Sequence, residues 1–187
     1  MIMRRRPKAD RRDGIAQNGK PFESGWDFPR PPSLEHVEWR IRVIHAGVTI
    51  VDAPRALRVL ETSQPPAYYV APEFVDVSAF VSSATRTLCE WKGLATYASV
   101  DLAGVDTGNP VNSGNPVDPV ADAAWTYRTP TPAFTELANH WAFYAQRFDE
   151  CWVDDERVAG NDGSFYGGWI TNNVTGPFKG GPGTLHW

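Results

Sequence analysis

Short segments with the two-residue period of a β-strand follow one another closely along this chain of 187 residues, and no regular helix stands between them. Parallel strands need a crossover of a dozen or more residues, usually helical, so this spacing points to antiparallel pairing. In residues 37–43, Val37, Trp39, Ile41 and Val43 take every odd position, which predicts a strand with one wet face. Ala46-Gly47 then turns the chain into a hairpin partner at residues 48–51. In residues 56–61, Ala56, Val59 and Leu60 would suit a helix and Leu57 with Val59 a strand. A strand is favoured, because the segment is short, follows Pro54 and is soon stopped by Pro65-Pro66. Residues 67–70 form a second extended run, and Pro72 opens one turn of helix within 72–82. Residues 85–100 read as a hairpin or bent strand with Gly93 at a bulge or close approach. Residues 104–119 have turn chemistry and form a surface loop; 123–127 are extended, a short helix covers about 133–139, and 140–148 and 150–157 read as two strands.

A chain of this length builds one well-buried core, and an apolar fraction of 42% is enough to fill it. Residues 1–33 are a basic, proline-rich, irregular arm docked by Trp26 and Phe28, residues 34–160 the β-rich core domain, and 161–187 a glycine-rich aromatic tail packed on that core. The net charge of −4 hides an asymmetry, since Arg4, Arg5, Arg6, Lys8, Arg11 and Arg12 are opposed only by Asp10 at the start. A basic arm can follow phosphates, yet an acidic body repels them, so no nucleic-acid partner is expected and a solvated, disordered end is the simpler reading. Two cysteines, Cys89 and Cys151, make neither a disulfide framework nor a four-thiolate zinc site. Without a membrane-length apolar run or a signal-peptide core, the expected address is cytoplasmic, with no membrane partner.

The familiar chemical motifs fail on context. Gly14-Ile15-Ala16-Gln17-Asn18-Gly19-Lys20 nearly matches a phosphate loop, but Pro21 stands where a magnesium-binding hydroxyl belongs, and no strand–helix frame surrounds it. His36, His45, His140 and His186 have no zinc-ligand spacing, so neither a metal nor another cofactor is expected. What remains is Cys89-Glu90-Trp91-Lys92-Gly93 with Tyr97 shortly after. A lysine beside a thiol favours the nucleophilic thiolate. In a flat strand, however, Cys89 and Trp91 face one way and Glu90 and Lys92 the other, which separates thiol from ammonium.

At these residues the chain resembles the family catalogued as domain of unknown function 427, some of whose members carry a provisional nucleotidyltransferase label. The likeness runs through Asp52, Arg55-Ala56-Leu57, Glu61, Pro65-Pro66 and Tyr68-Tyr69 to Cys89-Glu90-Trp91-Lys92-Gly93 with Ala95 and Tyr97. It continues in Ala123-Ala124-Trp125-Thr126-Tyr127 with Pro130, in Phe143-Tyr144, and from Phe165-Tyr166-Gly167-Gly168-Trp169 to Trp187. It covers most of the chain from about residue 22, with 104–119 an idiosyncratic insertion. The resemblance implies a compact, mainly β fold of the Mss4-like or β-tent kind, two antiparallel sheets leaning together with one or two short helices. Relatives of that architecture often bind zinc through cysteine pairs, which this sequence lacks, so no metal carries over. The paired aspartates of a nucleotidyl-transfer centre are also missing, and Asp154 and Asp155 sit in an apparent hairpin.

Two functions of different class follow. In a binding module, Tyr69, Trp91, Tyr97, Trp125 and Tyr127 line a cleft in which Glu61 and Lys92 fix a small polar or anionic ligand. In an enzyme, Cys89 is a thiol nucleophile, or Lys92 and Glu61 are an acid–base pair. The competing bland reading makes the rings ordinary core and Cys89 a structural thiol. The arm and the tail are candidate surfaces for self-association into a homo-oligomer.

Overall fold

The computed structural model describes residues 7–102, 119–184 and 187. The loop expected at 104–119 therefore lies, apart from residue 119, outside the described residues, as do Arg4, Arg5, Arg6 and His186. In chain order the strands are β1 (Glu23–Ser24), β2 (Ser33–Val37), β3 (Ile41–His45), β4 (Val48–Ala53), β5 (Ala56–Leu60), β6 (Ala67–Tyr69), β7 (Phe80–Cys89) and β8 (Gly93–Val100). There follow β9 (Val120–Tyr127), β10 (Trp141–Phe143), β11 (Glu150–Val153), β12 (Glu156–Arg157), β13 (Ala159–Gly160), β14 (Trp169–Ile170) and β15 (Val174–Thr175). Helical structure among the described residues is confined to short 3-10 turns, including Pro72–Phe74 and Pro132–Leu137 near the two places where the sequence puts helices.

The fold is mainly β with several antiparallel sheets, more than the two expected. Two are four-stranded, in the orders β10-β9-β8-β7 and β12-β11-β3-β4, and a third has the order β2-β5-β6. Two-stranded pairs complete the set, β13 with β14 antiparallel and β1 with β15 parallel. One cause of the difference is the segment 37–43. Its alternation is real, with Val37, Ile41 and Val43 buried, but the chain changes sheets at residues 38–40. There the Arg40 N–H donates to Asp154 Oδ1 at 2.8 Å and the Arg40 carbonyl accepts from the Asp154 N–H at 2.7 Å, so one apolar stripe serves two sheets. A period of two records which face is covered and says nothing about which neighbour supplies the hydrogen bonds.

The expected strand at 140–148 is likewise shorter. Only Trp141–Phe143 pairs with β9, and Ala145–Arg147 is a 3-10 turn. The Ala46-Gly47 turn is as expected: φ angles of 49° and 78° give the twist that a tight hairpin needs. Reciprocal bonds of 2.8 Å between Val70 and Trp141 hook the three-stranded sheet onto the edge of β10. That junction brings β5 and β6 alongside β7, β8 and β9.

Two apolar clusters sit between these layers. The larger holds Ile41, Val43, Ile50, Val51, Val70, Phe143 and Trp169, each at most 1% exposed. The second gathers Leu57, Val59, Tyr69, Trp125, Tyr127, Leu137 and Tyr144, with Cys89, Trp91 and Tyr97 packed partly buried against it. The described parts of the arm and the tail join this body. The Asp10 N–H donates to the Gly176 carbonyl at 2.9 Å, Trp26 Nε1 donates to the Pro177 carbonyl at 2.7 Å, and Phe28 is buried with Leu60 and Val174.

Candidate functional site

The second cluster does not close completely. A cavity of about 380 Å³ opens where the three-stranded sheet meets β7, β8 and β9, and strand parity decides what it sees. Residues directly opposite one another in a sheet share a face. Tyr97 lies opposite Trp125, Ala95 opposite both Tyr127 and Thr87, and Val59 opposite Ala67. The odd-numbered side chains of five strands therefore converge on the opening. Tyr69, Trp125 and Tyr127 are 1%, 6% and 4% exposed, so these rings are core and cavity wall at once.

The polar part of the site comes from the β7–β8 turn. Residues 89–93 are not one extended segment: Cys89 pairs with Gly93, and residues 90–92 form a three-residue loop between them. Gly93 closes that loop at φ +101°, a conformation other residues adopt only with strain. The turn removes the parity that would separate Cys89 from Lys92. Both line the cavity, and Cys89 is among the groups that raise the Lys92 pKa. The Thr131 N–H donates to the Lys92 carbonyl at 3.1 Å and fastens the loop to the chain entering Pro132–Leu137.

Lys92 is 8% exposed and makes no salt bridge among the described residues. Burial opposes its charge, but Tyr69, Cys89 and Glu61 outweigh burial, so its pKa is raised and the ammonium persists at neutral pH. Burial likewise raises the pKa values of Tyr69, Tyr127 and Tyr144, which keeps those hydroxyls neutral. Deep in the cavity there is thus one fixed positive charge among neutral rings.

All eight residues singled out in the sequence, Glu61, Tyr69, Cys89, Trp91, Lys92, Tyr97, Trp125 and Tyr127, line this one cavity. Glu61 is placed differently from an acid–base partner of Lys92. Its carboxylate lies 3.6 Å from the guanidinium of Arg30, which also donates to Glu90 at 2.7 Å and lies over the Trp91 ring at 5.8 Å. Sequence reasoning missed Arg30, Thr87, Tyr144, Lys179 and residues 165–168 as lining. Thr87 was within reach, since it shares the odd parity of Cys89 and Tyr97.

Residues 161–168 form a loop over the mouth. Its neck is pinched by the Asn161 N–H donating to the Gly168 carbonyl at 3.0 Å, and its inner side is held by the Tyr144 hydroxyl donating to the Phe165 carbonyl at 3.0 Å. Gly167 lies so close to the wall that an added Cβ would sit 2.2 Å from Trp125 Cη2. Gly167→Ala is expected to displace the Trp125 ring and cost about 1–3 kcal/mol, as overpacking of a tight site does. Urea denaturation with tryptophan fluorescence checks this; an unchanged midpoint and spectrum would contradict the close packing.

A mainly β domain with an aromatic cavity around a buried ammonium is the class of protein that fold and site define. The chain belongs to the family described as Domain of unknown function (DUF427), whose model matches residues 33–154 and carries a nucleotidyltransferase-like label. No curated protein matches the chain. Among the described residues no three His, Cys, Asp or Glu side chains are grouped to hold a metal ion, and no helix is long and apolar enough to cross a membrane.

Proposed function

We propose that this domain binds a small anionic ligand in the aromatic-lined cavity, with Lys92 as the anchor of the negative charge. The observation that carries the reading is a lysine 8% exposed, facing a cavity, without an ion pair among the described residues. Buried charges are normally paired, and the stable alternative to an internal carboxylate is one brought by a ligand. Lys92→Met keeps the stem and removes the charge. A thermal-shift panel of small carboxylates and phosphates should stabilise the native protein, by about 2.7 kcal/mol at a hundred times Kd, and the effect should vanish in Lys92→Met. No stabilisation by any anion, or equal stabilisation of the variant, sinks the proposal.

The catalytic alternative gains one specific observation, the return of Lys92 toward Cys89 at the turn, which sets a cation beside a cavity-facing thiol. The acid–base version has less support, since Glu61 is engaged by Arg30 and Lys92 holds its proton. If Cys89 is a nucleophile, an activated ester or thioester offered to the protein should leave a covalent adduct on Cys89 by mass spectrometry and none in Cys89→Ser. An empty Cys89 would retire that version. As its setting we propose a β-tent architecture centred on the two four-stranded sheets, with the smaller sheets added to it, and a cytoplasmic address in keeping with two free thiols, Cys89 and Cys151. The net charge of −4 goes with a protein that does not bind nucleic acid, and self-association through the arm and tail remains part of the proposal.

A further inference from the structure

The cavity's hydrogen-bonding capacity is unevenly distributed. Most of the hydroxyls on its wall are already engaged within the protein. Tyr97 is 2.9 Å from the Thr87 hydroxyl, Tyr144 donates to the Phe165 carbonyl at 3.0 Å, and Tyr69 accepts from Trp125 Nε1 at 3.4 Å. One unmet donor lies on the β7–β8 turn, next to the buried lysine. Trp91 Nε1 is buried with no acceptor among the described residues, and the next residue is Lys92, 8% exposed, whose ammonium meets the Cys89 thiol but forms no salt bridge among the described residues. A buried N–H without an acceptor is costly, so the indole N–H beside a buried cation is suited to an oxyanion.

What the rest of the wall offers is ring surface. Trp125 packs with Tyr144 at 4.7 Å between centroids and meets Tyr69 edge-on at 6.1 Å, which fixes both rings in the positions that face the opening. A polyhydroxylated ligand such as a sugar would bury hydroxyls against groups that are already satisfied. An aromatic ring would meet faces and edges that it can complement.

Charge sets the number of negative groups. The lining carries the cations Arg30, Lys92 and Lys179 against the carboxylates Glu61 and Glu90, a balance of one positive charge. Arg30 is occupied by both carboxylates. A phosphomonoester dianion or a nucleoside triphosphate would meet Glu61 and Glu90 with more negative charge than the site neutralises. The volume of about 380 Å³ is near the lower end of small-molecule sites, roughly 300–1,000 Å³, and fits one or two fused rings.

We infer that the ligand is an aromatic monocarboxylate, its carboxylate held by Lys92 and the Trp91 indole N–H and its ring set against Trp125 and the tyrosines. This rests on the anion-binding reading above and narrows it to one chemical class. The nucleotidyltransferase-like label of the family points elsewhere, toward a polyanion, so the two are separable by experiment.

The test titrates the full-length protein with benzoate and indole-3-carboxylate, read by tryptophan fluorescence and calorimetry. The comparison ligands are benzamide, acetate, glucuronate, phenyl phosphate and ATP. The aromatic carboxylates should bind best. Benzamide, which keeps the ring and loses the charge, and acetate, which keeps the charge and loses the ring, should each be weaker by at least about ten-fold. Lys92→Met should lose a similar factor for benzoate and much less for benzamide, whose carbonyl meets Lys92 without an ion pair, whereas Lys92→Arg should recover part of the benzoate affinity. Benzamide binding as well as benzoate, glucuronate matching it, or phenyl phosphate or ATP exceeding it overturns this inference. Tight phosphate binding that depends on Lys92 would do so while leaving the anion-binding reading intact. Failure of every anion to bind removes both. The benzoate–benzamide comparison needs only the wild-type protein, so the test holds even if the variants fold poorly.

Discussion

Replacing Arg58 by alanine is expected to cost about 3–5 kcal/mol, because it leaves two carboxylates facing a buried position with no cation to meet them. Arg58 is 5% exposed in the middle strand of the β2-β5-β6 sheet. Its guanidinium donates to both oxygens of Glu23 at 2.7 and 2.9 Å and to Glu35 at 2.7 Å, and it lies 4.9 Å from the Trp39 ring. Burial alone would lower the Arg58 pKa, but the hydrogen bonds to Glu23 and Glu35 reverse that and raise it. The charge is therefore present at every pH at which the protein folds.

The position gives this cluster a role at the cavity. Arg58 and Val59 point to opposite faces of β5, so the ion cluster and the cavity wall share one strand. Glu23 belongs to β1, which pairs with β15, and the same N-terminal segment runs on to Arg30 at the cavity mouth. Losing Arg58 should loosen that segment as well as lower stability. Urea denaturation of Arg58→Ala, Glu23→Gln and the double variant measures the first effect, and the double should cost less than the sum of the two singles. A change within about 0.5 kcal/mol for Arg58→Ala would show that the cluster behaves as a surface pair.

How much of this the sequence held depends on the kind of signal. Parity was legible: Tyr69, Cys89, Tyr97, Trp125 and Tyr127 occupy odd positions on their strands, and those strands are paired so that the odd faces coincide. The β7–β8 turn was legible only as one of two readings, a hairpin or a bent strand, because alternation through 89–93 looks the same whether the chain continues or reverses; what stayed hidden was that the reversal falls at residues 90–92. Tyr144 was missed because it follows a three-residue strand covered on both sides, with Ala142 and Phe143 each 1% exposed, so no wet face marks its orientation. Arg30 stands in an aperiodic, proline-rich stretch whose path is set by contacts with Glu61 and Glu90, far away in sequence. Arg58 illustrates the same limit: as a charged residue in an alternating strand it belongs on a wet face, and only the arrival of Glu23 and Glu35 makes its burial stable.

Trp169→Ala should cost a further 3–5 kcal/mol or so, the usual range for deleting a fully buried large ring. It should also weaken anion binding at a cavity that Trp169 does not line. Trp169 is 0% exposed in β14, packs against Tyr68 at 5.5 Å between centroids, and donates from Nε1 to the Phe143 carbonyl at 2.8 Å. Its backbone N–H donates to the Pro66 carbonyl at 2.8 Å, and Gly160 pairs with it at the neck of the loop over the mouth. The residue therefore anchors one end of that loop, immediately after Gly167 and Gly168, which lie against Trp125 and Pro65. With the ring removed, the loop loses its fixed end, and the aromatic wall loses the contact at Gly167 that holds Trp125 in place. Trp169→Phe separates the two contributions. It keeps most of the ring and leaves the Phe143 carbonyl without its donor, so it should cost about 1–3 kcal/mol and disturb the cavity less. If Trp169→Ala lowers stability as expected but leaves benzoate affinity and the Trp125 fluorescence environment untouched, the loop covers the opening without shaping it.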